Sequence, residues 1–112
     1  MARGWRVVYV LDTLARLERD MGPEYAGVLR RLRREVESAR PAEYEELAAR
    51  LERLAGRLEE DGVPRMFTGR LRECARHLRI VVADARIEQN LREIRELRKK
   101  LRAMTRRMTR ER

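Results

Sequence analysis

The sequence predicts a mostly helical α+β fold, in which two short strands flank four helices and a long C-terminal helix follows. Three observations lead to this prediction. β-branched and aromatic residues cluster at 5–11 (WRVVYVL) and again at 78–85 (LRIVVADA), and such clusters favour strands. Between the clusters, apolar residues recur every three or four positions, which indicates helices. After residue 85 the same spacing continues without Gly or Pro.

Four helices are predicted between the strands, and turn-forming residues mark their ends. The first begins at Asp12 or Thr13, either of which can cap it, and ends at Gly22. Pro23 suits the first turn of the second helix, and Pro41 follows its end.

The third and fourth helices are predicted on either side of a loop that contains Gly62 and Pro64. The third covers residues 43–60, where leucines are spaced three and four positions apart. The fourth is a short helix over residues 68–78 that Thr68 caps.

Residues 78–85 decide between two architectures. Ile80, Val81 and Val82 are three consecutive β-branched residues, which favour a strand that pairs antiparallel with residues 5–11 and packs on the helices. The alternative is an all-α bundle in which the stretch continues one last helix of about 40 residues, roughly 60 Å long. The strand is the favoured interpretation.

A heptad pattern begins near Asp84, with Asn90 as its one polar core position. A helix of about 25 residues is too long for the shorter helices to cover, so a contact with further copies of the chain is predicted, as a dimer or tetramer. The alternative is that the helix folds back on its own domain. The domains are thus 1–85 and 86–112, and the second is predicted to serve oligomerisation. The predicted contact residues are Ile87, Leu91, Ile94, Leu97, Leu101, Met104 and Met108.

Charge is concentrated at one end of the chain. Of a net charge of +9, residues 98–112 hold eight basic residues and one acid, and Lys99 and Lys100 are the only lysines. The arginine excess is expected of a GC-rich genome or of a hot, thermophilic habitat, where ion-pair networks are favoured. Cys74 is the only cysteine and His77 the only histidine. One cysteine cannot form an intramolecular disulfide, and two such ligands are too few for a zinc site.

Enzymatic and membrane functions are not predicted. The sequence has no phosphate-binding glycine loop and no nucleophile beside a plausible base, so no catalytic residue, cofactor, metal or small-molecule substrate is expected. No apolar run approaches the length of a membrane span and no signal peptide is recognisable. A cytoplasmic location is expected.

Binding of single-stranded nucleic acid is the predicted function of the domain 1–85. It requires basic groups for phosphates and aromatic faces on which bases stack, and both occur together at the start of the chain and around residue 67. The alternative is that Trp5 and Phe67 are core residues among solvated arginines. Nothing in the sequence separates DNA from RNA. The predicted contact residues are Arg3, Trp5, Arg6, Tyr9, Arg65, Phe67, Arg70 and Arg72.

The order strand, four helices, strand and heptad helix resembles the ThermoDBP group of archaeal proteins. The segments that carry the resemblance are GWRVVYVL, LRIVVADA and ARIEQNLREIRELRKKLRAM. The resemblance implies sequence-independent binding of single-stranded DNA by a homo-oligomer. A second hypothesis from the residues alone is a small basic scaffold subunit of a nucleoprotein complex, which binds other proteins through its heptad.

Overall fold

The computed structural model describes residues 4–110 and shows an all-helical protein. No strand occurs within these residues. A short 3-10 turn, Pro41–Glu43, precedes the third of four helices. The helices are α1 (Trp5–Asp20), α2 (Pro23–Ser38), α3 (Tyr44–Glu60) and α4 (Arg65–Arg110).

The predicted α+β fold is therefore wrong, and the first strand lies in α1. Val7, Val10 and Leu14 are spaced three and four apart and are all buried, which is a helical pattern. A β-branched residue costs a helix less than about 0.7 kcal/mol, whereas full burial of a valine or leucine contributes about 1.5–3 kcal/mol. Burial of one helical face therefore outweighs the strand preference of these residues.

The second predicted strand, 78–85, lies inside α4 for the same reason. Leu71, Leu78 and Val82 lie on one buried face of the helix, and neither Gly nor Pro interrupts residues 70–110. The predicted fourth helix and the heptad helix are consequently one continuous element. This matches the all-α alternative with a single long last helix.

The predicted breakers are confirmed, but the predicted caps are wrong. Gly22 and Gly62 adopt φ angles of 96° and 87°, a left-handed conformation that favours glycine. Pro23 occupies the first turn of α2. Thr13 and Thr68 lie within helices and are buried, because each falls on the apolar face that packs into the core.

The chain divides into two compact units between Val82 and Ala83. In the first unit, residues 4–82 form an up-down-up-down bundle in which each helix packs against the helices before and after it, and α1 packs against α4. Polar contacts lie on the rim of each interface. They include Glu18–Arg30 for α1–α2, Glu35–Arg50 for α2–α3, Glu59–Arg72 for α3–α4, and Tyr9–Glu73 for α1–α4.

Leucines from all four helices fill the centre of the bundle, and they are completely shielded from solvent. Their burial is the main favourable contribution to folding. The largest of them are Leu14, Leu17, Leu29, Leu51, Leu71 and Leu78.

The second unit contains residues 83–110 of α4, called the C-terminal segment below. Every residue of this segment is exposed. Within the described residues, no helical stretch combines the length and the hydropathy that a bilayer crossing requires.

Candidate nucleic-acid interface

An aromatic and basic cluster lies where the start of α1 meets α4, and we call it the Trp5 cluster (Trp5, Arg6, Tyr9, Glu73 and His77). Trp5 is 65% exposed. The Arg6 guanidinium carbon lies 4.4 Å from the centre of the Trp5 ring, and its Nη1 donates to Nδ1 of His77 at 2.9 Å. The cation–π contact with Trp5 and the hydrogen bond to His77 fix the Arg6 guanidinium from two sides. The indole ring therefore lies against an ordered cation.

His77 and Tyr9 form the inner part of the Trp5 cluster. The Tyr9 ring lies 4.5 Å from the His77 ring, and its hydroxyl donates to Glu73 Oε2 at 2.9 Å. Burial, followed by the charges of Arg6 and Arg76, lowers the pKa of His77. The imidazole is therefore neutral at pH 7, with Nδ1 free to accept from Arg6 and its proton on Nε2.

The second predicted group of residues belongs to the first two turns of α4. Phe67 is half-buried and packs against the core, beside Met21 and Tyr25 in a shallow pocket. The sequence predicts a face for bases at Phe67, because proline, arginine and methionine stand beside it, and the alternative is that Phe67 is a core residue. Its position one helical turn before Leu71 instead directs it towards the core.

The arginines near Phe67 differ in how they are paired. Arg70 forms an ion pair of 3.8 Å with Asp20. Arg72 is bidentate, since its Nε and Nη2 donate to the two carboxylate oxygens of Glu59 at 3.2 and 3.1 Å. Arg65 is exposed and makes no ion pair with a described carboxylate. The Thr68 hydroxyl and the Arg72 guanidinium lower the pKa of Glu59, so this carboxylate stays ionised beside Arg72.

The two groups of predicted residues do not share one cleft. Trp5 begins α1 and Asp20 ends it, and Arg70 reaches Asp20. Fifteen residues of helix, about 22 Å, separate Trp5 from Asp20. Arg72 precedes Glu73 of the Trp5 cluster in the sequence but turns towards Glu59 of α3. Arg3 lies outside the described residues. The structure thus brings together Trp5, Arg6 and Tyr9, and places Arg65, Phe67, Arg70 and Arg72 elsewhere.

A basic groove between α2 and α3 was not predicted, and we call it the α2–α3 groove. Its walls carry guanidinium groups from both helices, and exposed apolar side chains form its floor. Three α3 arginines at positions i, i+3 and i+7 share one helix face, a spacing visible in the sequence. Their alignment with α2 depends on tertiary packing. The groove residues are Val28, Arg31, Leu32, Arg50, Arg53, Leu54 and Arg57.

The C-terminal segment carries an apolar stripe along its whole length. All seven residues of the predicted contact are between 45% and 65% exposed. Basic residues line another side of the same helix, among them Arg92, Arg95, Lys99 and Arg102. An apolar face and a basic face are therefore separated on one helix.

Cys74 should be unreactive in the folded protein. It is fully buried, and burial raises the pKa of its thiol to about 12, so almost no thiolate exists at pH 8. We expect no labelling by iodoacetamide at pH 8 in buffer and complete labelling in 6–8 M urea, with mass spectrometry as the readout. Rapid labelling in buffer would contradict this packing of α4.

The described residues contain no group of three or more His, Cys, Asp or Glu side chains placed to hold a metal ion. Comparisons with protein-family models, with curated proteins and with solved structures give no match. The resemblance to the ThermoDBP group stays a prediction, although both strands on which it depended are helical in this structure.

Proposed function

We propose that the chain is a homo-oligomeric protein that binds single-stranded nucleic acid independently of its sequence. The observation that carries the proposal is the exposed Trp5 ring beside the Arg6 guanidinium. An unpaired base can stack on the indole while an arginine contacts its phosphate, which is the combination that single-strand binding uses.

The exposure of Trp5 has no structural benefit that would explain it. Burial of large aromatic side chains dominates the energetics of protein cores, yet the only tryptophan of the chain lies mostly in solvent. Its neighbours Arg6 and His77 hold it in place without covering it. A fixed and exposed aromatic ring loses little conformational freedom when a base binds, which favours binding.

The apolar stripe of the C-terminal segment supports assembly with a second copy. In the described chain, residues 98–110 contain seven basic residues and no acid, whereas residues 84–97 contain four acids and three basic residues. A parallel pair would place the two basic halves side by side. An antiparallel pair places each basic half beside the half that carries acids, so charge favours the antiparallel arrangement.

The proposal is tested by fluorescence anisotropy with a labelled 20-nucleotide oligo-dT over a series of salt concentrations. Binding should weaken with salt, because each phosphate contact on a single strand contributes a slope of about −0.7 in a plot of log K against log salt. A protein that does not bind at low salt, or binds with no salt dependence, does not have the proposed function.

Replacement of Trp5 by alanine should weaken oligo-dT binding by about 1–3 kcal/mol, roughly 5- to 150-fold in Kd. The cause is loss of the ring on which a base stacks. Trp5→Phe keeps an aromatic face and should retain most of the affinity. Val8→Ala removes another exposed apolar side chain of α1 and serves as the control. Equal affinities for the alanine variant and the unaltered protein would exclude Trp5 as a stacking residue.

A second candidate function is favoured by the same exposed stripe. If the stripe binds a different protein, the chain acts as a scaffold subunit of a larger nucleoprotein complex. Mass measurement in solution separates the two hypotheses, because a self-assembling chain is a dimer or tetramer on its own and a scaffold subunit is a monomer until its partner binds.

A further inference from the structure

We propose that the α2–α3 groove is a second nucleic-acid contact, in which Arg31, Arg53 and Arg57 bind consecutive phosphates of one strand. This inference rests on the proposed function and adds a site that lies apart from the Trp5 cluster. It is supported by the way the bundle distributes its charges, by the floor of the groove and by the spacing of the arginines.

Helix α3 turns three of its carboxylates towards α4. Glu45, Glu52 and Glu59 recur every seven residues and face α4, where Arg79 pairs with the first two and Arg72 with the third. The arginines of α3 face α2. Glu46 and Glu60 lie on the same side of α3 as these arginines, one helical turn from Arg50 and Arg57 respectively. Within the described residues, neither carboxylate forms an ion pair with them.

The arginines of helix α2 lie on different sides of the helix. Arg30 and Arg33 turn towards α1, where both pair with Glu18 at 2.8 and 3.2 Å. Arg31 turns towards α3 and lines the groove. No described carboxylate forms an ion pair with it.

Three groove arginines make no ion pair among the described residues. Arg50, at one end, pairs with Glu35, but Arg31, Arg53 and Arg57 have no described ion-pair partner. Grouping like charges without a counter-charge is unfavourable. A bound phosphate removes that repulsion, and the planar guanidinium can donate two parallel hydrogen bonds to it.

The floor and the length of the groove suit a flexible strand. Val28 is 44% exposed and Leu54 is half-buried, so sugars and base edges would meet an apolar surface between the arginines. Arg53 and Arg57 are about 6 Å apart along the helix axis. One strand of B-form DNA advances about 3.4 Å per nucleotide, so the arginines span about three phosphates.

The groove and the Trp5 cluster lie on opposite sides of the bundle. The Trp5 cluster joins α1 to α4, and the groove joins α2 to α3. The two sites can therefore be altered separately, and neither set of substitutions touches the other site.

The test compares the triple variant R31Q/R53Q/R57Q with the unaltered full-length protein, using labelled 20-nucleotide oligo-dT over a salt series. Loss of three phosphate contacts should reduce the magnitude of the salt slope by about 2 and weaken binding roughly tenfold or more at low salt. The control R16Q/R19Q/R40Q removes the same charge from exposed positions outside the groove and should retain most of the slope. Single-residue R53E tests the same site if the triple variant misfolds, as judged by circular dichroism.

Each outcome decides one hypothesis. If the unaltered protein binds and both triple variants lose the same amount of slope, general charge explains the effect and the groove is excluded, while the proposed function stands. If the unaltered protein binds no oligo-dT, both proposals fail. The groove variant is also compared on oligo-dT and on a duplex of equal length. An equal loss of affinity for both would mean that the groove binds phosphates without preference for single strands. That result would overturn the assignment of the groove to single strands.

Discussion

Replacement of both Leu97 and Leu101 by aspartate should convert the protein to a monomer. Both leucines lie on the exposed stripe of the C-terminal segment, and burial of two unpaired carboxylates in a helix–helix contact costs several kcal/mol. Sedimentation velocity or light scattering should show the mass of the 13.4 kDa chain for the variant and a multiple of it for the unaltered protein.

A matched control introduces the same two aspartates on another side of the helix, at Gln89 and Ala103. These positions are exposed and lie two residues after heptad core positions, away from the stripe. The control should retain the mass of the unaltered protein. If the Leu97 and Leu101 variant also retains that mass, the stripe is not the contact between copies.

The same variant should lose helix content. A helix that buries no apolar face is marginally stable in water, so a second copy packed on the stripe should contribute most of the stability of residues 83–110. The circular dichroism signal at 222 nm should therefore be weaker in the L97D/L101D variant than in the control at equal concentration.

Replacement of Leu51 by alanine should destabilise the bundle by about 2–5 kcal/mol. Leu51 is fully buried at the centre of α3, and its truncation removes buried apolar contacts and leaves a cavity. The free energy of unfolding is best measured by urea titration in the L97D/L101D background, where dissociation of copies does not contribute. Val28→Ala, at an exposed position, should change stability by less than about 0.5 kcal/mol. Equal effects of the two substitutions would contradict the core described above.

The sequence was sufficient for the turns and for the helices between them, because Gly22, Pro23 and Gly62 have strong local preferences that packing did not change. It was misleading where local preference and packing disagreed. Val7 and Val10 favour strands individually, but their spacing with Leu14 favours a helix. Burial of the helical face stabilises the protein by more than the strand preference of the two valines, so this segment is a helix.

The candidate interface was predictable only in part. Trp5 and Arg6 are neighbours in sequence, so their proximity did not depend on the fold. The contact of Arg6 with His77 joins residues 71 positions apart and could not be inferred from local spacing. The α2–α3 groove was missed for the same reason, since Arg31 meets Arg53 and Arg57 only after the two helices pack.

The contact between α1 and α4 also has a consequence for synthesis. One side of α1 packs against residues that emerge from the ribosome long after it, because the bundle is complete only at Val82. At the usual rate of translation, 62 further residues require about 3 to 12 s. During that interval the face of α1 that later meets α4 has no intramolecular cover, so the nascent three-helix intermediate exposes apolar surface that the finished bundle conceals.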